Sequence, residues 1–176
     1  HVAFLVEQEE RERSWLENLC KGSAFYLHLF GDVEGVGPSI GARFIAAIER
    51  IERFSQRTDL SNYAGMLPRG KEGTLPARRY SRGKTLSRDP QLNAACFILQ
   101  EYMFQWGRNQ PLGQRLISQV ERNCPCTPEE RQQDKDLRRK HAEAVKQARI
   151  AMTRYFLEYI VWPRWSEYMV LPIAPT

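Results

Sequence analysis

Residues that bind metal are scarce in this chain, and long apolar runs are missing. Among its 176 residues are three histidines and four cysteines. His1, His28 and His141 are not spaced as a ligand pair. Cys124-Pro125-Cys126 leaves one residue between its thiols, tighter than a zinc knuckle uses. The reading is a turn between helices with reduced thiols and no metal, which fits the cytosol. Cys20 and Cys96 sit in apolar helical contexts and are expected to be buried thiols. No apolar stretch reaches the ~18 residues of a membrane-spanning helix, and the N-terminus lacks a basic region followed by an apolar run, the mark of a signal peptide. The sequence opens at His1 rather than Met and reads as a fragment or processed product. It has no strong strand signal and no long internal repeat, so the expected fold class is mainly α. Glu7, Glu9, Glu10 and Glu12 share a helix with compensating arginines and read as a solvated face.

What the chain does have is a concentrated block of positive charge. Leu67 to Pro90, LPRGKEGTLPARRYSRGKTLSRDP, holds seven cations and two anions, a net +5 that equals the net charge of the whole protein. The cations are Arg69, Lys71, Arg78, Arg79, Arg82, Lys84 and Arg88. Few large apolar residues accompany them, while Gly, Ser, Thr and Pro are frequent. Such a stretch cannot bury a core and is expected to be an exposed, mobile loop. A polyanion is its natural partner, and the phosphate backbone is the commonest one. Tyr80, beside Arg78 and Arg79, offers a ring for base stacking.

Helical periodicity accounts for most of the remainder. Residues 2–20 form an amphipathic pattern in which Phe4, Leu5, Trp15, Leu16 and Leu19 share a face, as at the end of a coiled coil. Ala24 to Phe30 is a short apolar helix. A helix from Pro38 to Phe54 carries Ile40, Phe44, Ala47, Ile48 and Ile51 inward, and Thr58 or Asp59 caps a short helix ending at Tyr63-Ala64-Gly65. Asp89-Pro90 is a cap followed by a first-turn proline. The helix it opens reaches Trp106, with Leu92, Ala95, Cys96, Leu99, Met103 and Trp106 facing inward. Leu112 to Val120 forms another. Thr127-Pro128-Glu129-Glu130 is a capping box that opens a long C-terminal helix. That helix is expected to run to Val161, ended by Trp162-Pro163, with a buried stripe of Val145, Ala148, Met152, Phe156, Tyr159 and Ile160. Its polar first half, RQQDKDLRRKH, reads as a solvated face. Arg164 to Thr176 is expected to be an extended strap.

Gly35-Val36-Gly37, between two apolar helical segments, has the pattern of a helix-hairpin-helix. Glycine lets the chain turn with positive φ, and the next helix then presents backbone N–H groups and its dipole to a phosphate. Such hairpins hold the DNA backbone without reading bases.

These pieces follow one another in a telling order. Glu34-Gly35-Val36-Gly37-Pro38 and an apolar helix lead to Ile51-Glu52-Arg53-Phe54. Leu60-Ser61-Asn62-Tyr63-Ala64-Gly65-Met66-Leu67-Pro68-Arg69 comes next, then the basic loop ending in Leu86-Ser87-Arg88 and an Ala-rich helix. From about Glu34 to Met103 this order resembles the C-terminal domain of the insertion-sequence transposases that pair an N-terminal RuvC-like DEDD domain with a C-terminal serine domain. The pilin-gene invertases belong to the same group, and some members are guided by a bridge RNA.

The resemblance implies DNA transposition or site-specific recombination. It divides the chain into the end of a coiled coil (1–30), a transposase C-terminal domain with the hairpin and the basic loop (31–123), and a C-terminal long helix with its strap (124–176). It implies a serine nucleophile in the loop that works with carboxylates and a divalent metal, Mg, of the missing N-terminal domain. No cofactor is expected in this fragment, which is inactive alone. Ser81 fits best by its Arg-Arg-Tyr-Ser context. By distance from Pro68-Arg69 the position falls at Gly73, next to Thr74, and Ser87 aligns with the serine of a second family element. Gly35, Gly37, Arg69, Arg78, Arg79, Arg82, Lys84 and Arg88 are the expected nucleic-acid contacts. DNA, a guide RNA and further copies of the full-length protein are the implied partners, in the cytoplasm of a bacterium or archaeon at its nucleoid. The alternative is a non-catalytic helix-hairpin-helix module that binds DNA or RNA.

Overall fold

The computed structural model describes residues 2–66 and 89–170. These are mainly helical, with no strand among them. The elements are α1 (Val2–Gly22), α2 (Ala24–Phe30), α3 (Pro38–Ile48), a 3₁₀ turn (Ile51–Arg53), α4 (Arg57–Tyr63), α5 (Pro90–Gln105), α6 (Pro111–Asn123), α7 (Pro128–Gln133), α8 (Lys135–Phe156), a π turn (Leu157–Val161) and α9 (Trp162–Val170).

Local chemistry explains most boundaries. Ser23 caps α2 through Tyr26 N–H, Asp89 caps α5 through Leu92 N–H, and Thr127 caps α7 through Glu130 N–H. Pro38, Pro90, Pro111 and Pro128 each occupy a first turn, where the missing N–H has no intrahelical partner to lose.

The core gathers residues from every helix except α7, with Cys20 the buried contribution of α1. α6 lies along α8, α3 against α5, α4 against the π turn, and α2 against α9. Phe156 sits between Phe44, at 5.0 Å between ring centroids, and Phe30, at 6.1 Å. Phe25 meets Trp165 edge-on at 4.8 Å. Polar bonds cross the same interfaces: Gln100 donates to Thr153 at 2.9 Å, Trp162 Nε1 to the Phe54 carbonyl at 3.3 Å, and Arg164 to the Leu29 carbonyl at 3.0 Å. Residues beyond Cys124 thus complete the hydrophobic core of the earlier helices. The apolar side chains Phe4, Leu5, Trp15 and Leu19 of α1 are exposed.

Several expectations are corrected. The helix opened by Pro38 ends at Ile48, because Glu49 takes a positive φ of 58° and the chain resumes as a 3₁₀ turn. Neither Thr58 nor Asp59 is the N-cap of α4. That position is Gln56, with Asp59 at the third helical residue reaching back to the Gln56 N–H. The helix opened at Thr127 stops at Asp134, whose carboxylate accepts from Asp136 and Leu137 N–H and restarts the chain as α8. An aspartate competes with the backbone in this way and favours such a boundary.

Trp162-Pro163 does not end the long helix, and Arg164–Val170 is helical rather than an extended strap. The π turn immediately before Pro163 widens the backbone where the ring would otherwise meet the carbonyl four residues earlier. The same wide turn shifts the buried stripe to Phe156, Leu157, Val161 and Trp165, leaving Tyr159 51% exposed. Trp106 also points outward, 78% exposed, since it is the C-cap of α5 and has left the helical phase.

Candidate nucleic-acid interface

The basic segment departs from and returns to one pinned stem. At its start, α4 closes in a Schellman motif: Gly65 has φ 76°, its N–H donates to the Asn62 carbonyl, and Met66 N–H donates to the Ser61 carbonyl, both at 2.9 Å. At its end, Asp89 N–H donates to the Tyr63 carbonyl at 2.9 Å. Asn93 Nδ2 donates to the Ala64 carbonyl at 2.8 Å, and Tyr63 donates through its hydroxyl to Asp89 at 3.4 Å. Arg53 donates to the Tyr63 hydroxyl at 2.9 Å and lies over the Tyr63 ring at 5.1 Å. The two stem strands are therefore tied by backbone and side-chain bonds before the cations begin.

A second layer supports the stem. Ser61 Oγ, buried in α4, donates to Glu158 of the π turn at 2.5 Å, and Arg154 donates to the same carboxylate oxygen at 2.9 Å. Gln100 donates to Met66 Sδ at 3.4 Å. Glu158, Asn93 and Tyr63 were not among the expected functional residues. Gly65, the one position of this block that needs φ > 0, was the sequence signal for the Schellman end; the partners from α5 and the π turn had none.

The Gly35-Val36-Gly37 turn lies at the other end of α5. Gly35 has φ 85°, and a Cβ there would fall 1.9 Å from Gln110 Oε1 and 2.5 Å from Met103 Cε. Glycine at 35 is therefore demanded by both backbone and packing. The buried hydroxyl of Tyr26, whose pKa burial raises to about 12, donates to the Val36 carbonyl at 3.2 Å and fixes the turn. At Gly41 a Cβ would come within 2.6 Å of the Tyr26 ring, so the bare backbone lets α2 and α3 close on each other. Gly37 is exposed and is the N-cap of α3, with no side-chain cap, and a Cβ added there would meet nothing within 4 Å. Pro38 has no N–H, and Ile40 and Gly41 donate theirs to the Gly37 carbonyl at 3.0 and 2.9 Å, so in the first turn of α3 the Ser39 N–H is the one left to solvent or an anion. Arg164 pairs with exposed Asp32 beside this turn and holds its carboxyl below the usual carboxylate range.

Gly35 abuts Met103 near the end of α5, whereas the stem closes on Asp89 at its start. At 1.5 Å per residue, the hairpin and the root of the basic segment are about 20 Å apart along α5. Gly35 and Gly37 are the expected contacts that the structure describes. Arg69, Arg78, Arg79, Arg82, Lys84, Arg88, Ser81, Thr74 and Ser87 lie outside the described residues. Among the described residues, no group of three or more His, Cys, Asp or Glu is placed to hold a metal ion. No helix there is long and apolar enough to cross a membrane.

Residues 27–95 match the family model of the IS116/IS110/IS902 family of transposases. The matched segment runs from α2 into the first turns of α5 and contains both the hairpin turn and the two stem strands. This supports membership among those transposases. No curated protein and no solved structure matches the chain.

Proposed function

We propose that this chain is the nucleic-acid-binding C-terminal part of a DEDD/serine transposase or site-specific recombinase. The observation that carries the reading is that the transposase match spans the hairpin, the stem and the +5 segment that the stem brackets. Two phosphate-binding elements about 20 Å apart on a rigid helix would span roughly six base pairs of duplex at 3.4 Å each. Arg69, Arg78, Arg79, Arg82, Lys84 and Arg88 neutralise phosphates, and Gly35 and Gly37 form the uncapped hairpin that accepts another.

Ser81 Oγ is the proposed nucleophile, with Thr74 and Ser87 as the other hydroxyls. It attacks a DNA phosphodiester, loses its proton, forms a serine–phosphate ester and expels a sugar hydroxyl. The carboxylates and divalent metal that would lower the cost of this step are those of the N-terminal domain that the resemblance implies for the full-length protein. A guide RNA and further copies of the full-length protein are the remaining proposed partners, and the cytoplasmic nucleoid is the proposed location.

A non-catalytic helix-hairpin-helix module is the second reading, favoured by the uncapped N-terminus of α3 at Gly37. Binding of this chain to duplex DNA and structured RNA across a salt series tests the shared part. A variant neutralising Arg78, Arg79, Arg82 and Lys84 should lose about four phosphates' worth of salt dependence. Ser81→Ala in the full-length protein separates the two readings: binding persists in both, and strand transfer is abolished only if Ser81 is the nucleophile.

A further inference from the structure

A file of four side chains crosses the surface outside the stem and the hairpin. Arg115 of α6 lies 3.9 Å from the ring centroid of Tyr155. Tyr155 stacks on Tyr159 at 5.4 Å with 20° between the planes. Arg57 of α4 lies 4.5 Å from the Tyr159 ring. Both arginines are exposed, and so is Tyr159. Helical phase alone would bury Tyr159; the π turn brings it to the surface beside Tyr155 and under Arg57. Such single wide turns inside helices recur at functional sites. Glu158, the carboxylate next to Tyr159, is turned inward to Ser61 and Arg154 and does not offset the two exposed cations.

A guanidinium over an aromatic face is ordered and partly dehydrated, while its N–H groups can still bind a phosphate. The Tyr155–Tyr159 stack sets one guanidinium at each end. The transposase match makes duplex DNA the phosphate source that fits. We propose that Arg57 and Arg115, set by Tyr155 and Tyr159, form a second docking surface for the phosphodiester backbone of duplex DNA, contacting two of its phosphates. Arg115, Tyr155 and Tyr159 lie beyond residue 95, where the family match ends. The inference rests on the nucleic-acid reading above and adds to it a surface on the C-terminal helices.

The test compares the unaltered chain with R57Q/R115Q and R57K/R115K, using duplex DNA and single-stranded RNA as separate probes over a salt series. Circular dichroism and thermal melting confirm that each variant is folded. R57Q/R115Q should lower the slope of log K against log salt by about 1.8 on duplex DNA, for two phosphates. A drop on RNA alone overturns the assignment to DNA. R57K/R115K should keep the slope yet bind several-fold more weakly, because lysine keeps the charge without the planar fork. An unchanged slope in R57Q/R115Q on DNA, with binding intact, overturns this surface and leaves the reading of the hairpin and basic segment standing. Full affinity in R57K/R115K overturns the stacked-fork geometry. Failure of the unaltered chain to bind either probe at low salt overturns this surface and the nucleic-acid reading together.

Discussion

Ser61 of α4 donates a 2.5 Å hydrogen bond to Glu158 of the π turn, 97 residues further along the chain. Ser61 also lends its carbonyl to Met66, where the basic segment begins. The C-terminal helices therefore hold the stem in place as well as filling the core.

Loss of either partner should register as lost stability. Glu158→Ala leaves Arg154, itself mostly buried, without its carboxylate, and breaking such a pair costs about 3 kcal/mol. Ser61→Ala removes one hydrogen bond and should cost about 1–2 kcal/mol. Urea titrations of the two single variants and the double variant check this, and the double should fall short of the sum because both act on one contact.

Gly35 and Gly37 should respond to alanine to very different degrees. At Gly35 the new methyl meets Gln110 and Met103 at a φ of 85°, so Gly35→Ala should cost more than about 2 kcal/mol. At Gly37 no atom lies within 4 Å and φ is −69°, so Gly37→Ala should cost less than about 1 kcal/mol. Thermal melting of the two variants gives the comparison directly.

His141 lies 2.5 Å from Arg131. Burial, and then the Arg131 charge, hold its pKa below the ordinary 6.5. The unfolded chain therefore binds this proton more readily than the folded one. The contribution to stability is full above about pH 6.5 and is lost as the pH falls from there toward the folded value. Urea midpoints between pH 5 and 7.5 should drop at the acid end, and His141→Gln should flatten that drop.

The four thiols should differ in reactivity. Burial raises the pKa of Cys96 and of Cys20, and both are shielded. Cys126 is half-buried, with its Sγ 3.2 Å from that of buried Cys124. Its hydrogen bond to Cys124, and then desolvation, hold its thiol above the ordinary value. A maleimide should modify Cys126 first, and faster as the pH rises above about 8.5, because the thiolate is the reacting form. Cys124→Ala removes that hydrogen bond and should quicken labelling of Cys126 near neutral pH, as peptide mapping would show.

Much of the helical scaffold was legible. The bounds of α2, the caps at Asp89 and Thr127, the first-turn prolines, and the inward faces of α3 and α5 follow from rules that operate within one or two turns of chain. Two failed readings were local, at the Gln56 cap and the Asp134 break; those near the C-terminus depended on distant partners or on an unusual turn. Tyr159 and Ile160 carry the phase of the buried stripe, and nothing local announces a π turn at Leu157. Trp162-Pro163 is a stop by local chemistry, yet the helix continues because Trp162 bonds to Phe54, Trp165 packs on Phe25 and Arg164 reaches Leu29.

By itself the sequence determined the class of fold, the glycine turns at Gly35 and Gly65 and the segregation of its net charge. Periodicity, capping residues and glycine act locally and are written in neighbouring residues. Tertiary structure alone decided that residues beyond Cys124 close the core and that Glu158 reaches Ser61. It also decided that the hairpin and the stem stand at opposite ends of α5, and that Tyr159 lies under Arg57 on the surface. Each of these is a meeting of segments far apart in the chain or a consequence of one widened turn. Their free energy comes from packing and desolvation, which local pattern does not encode.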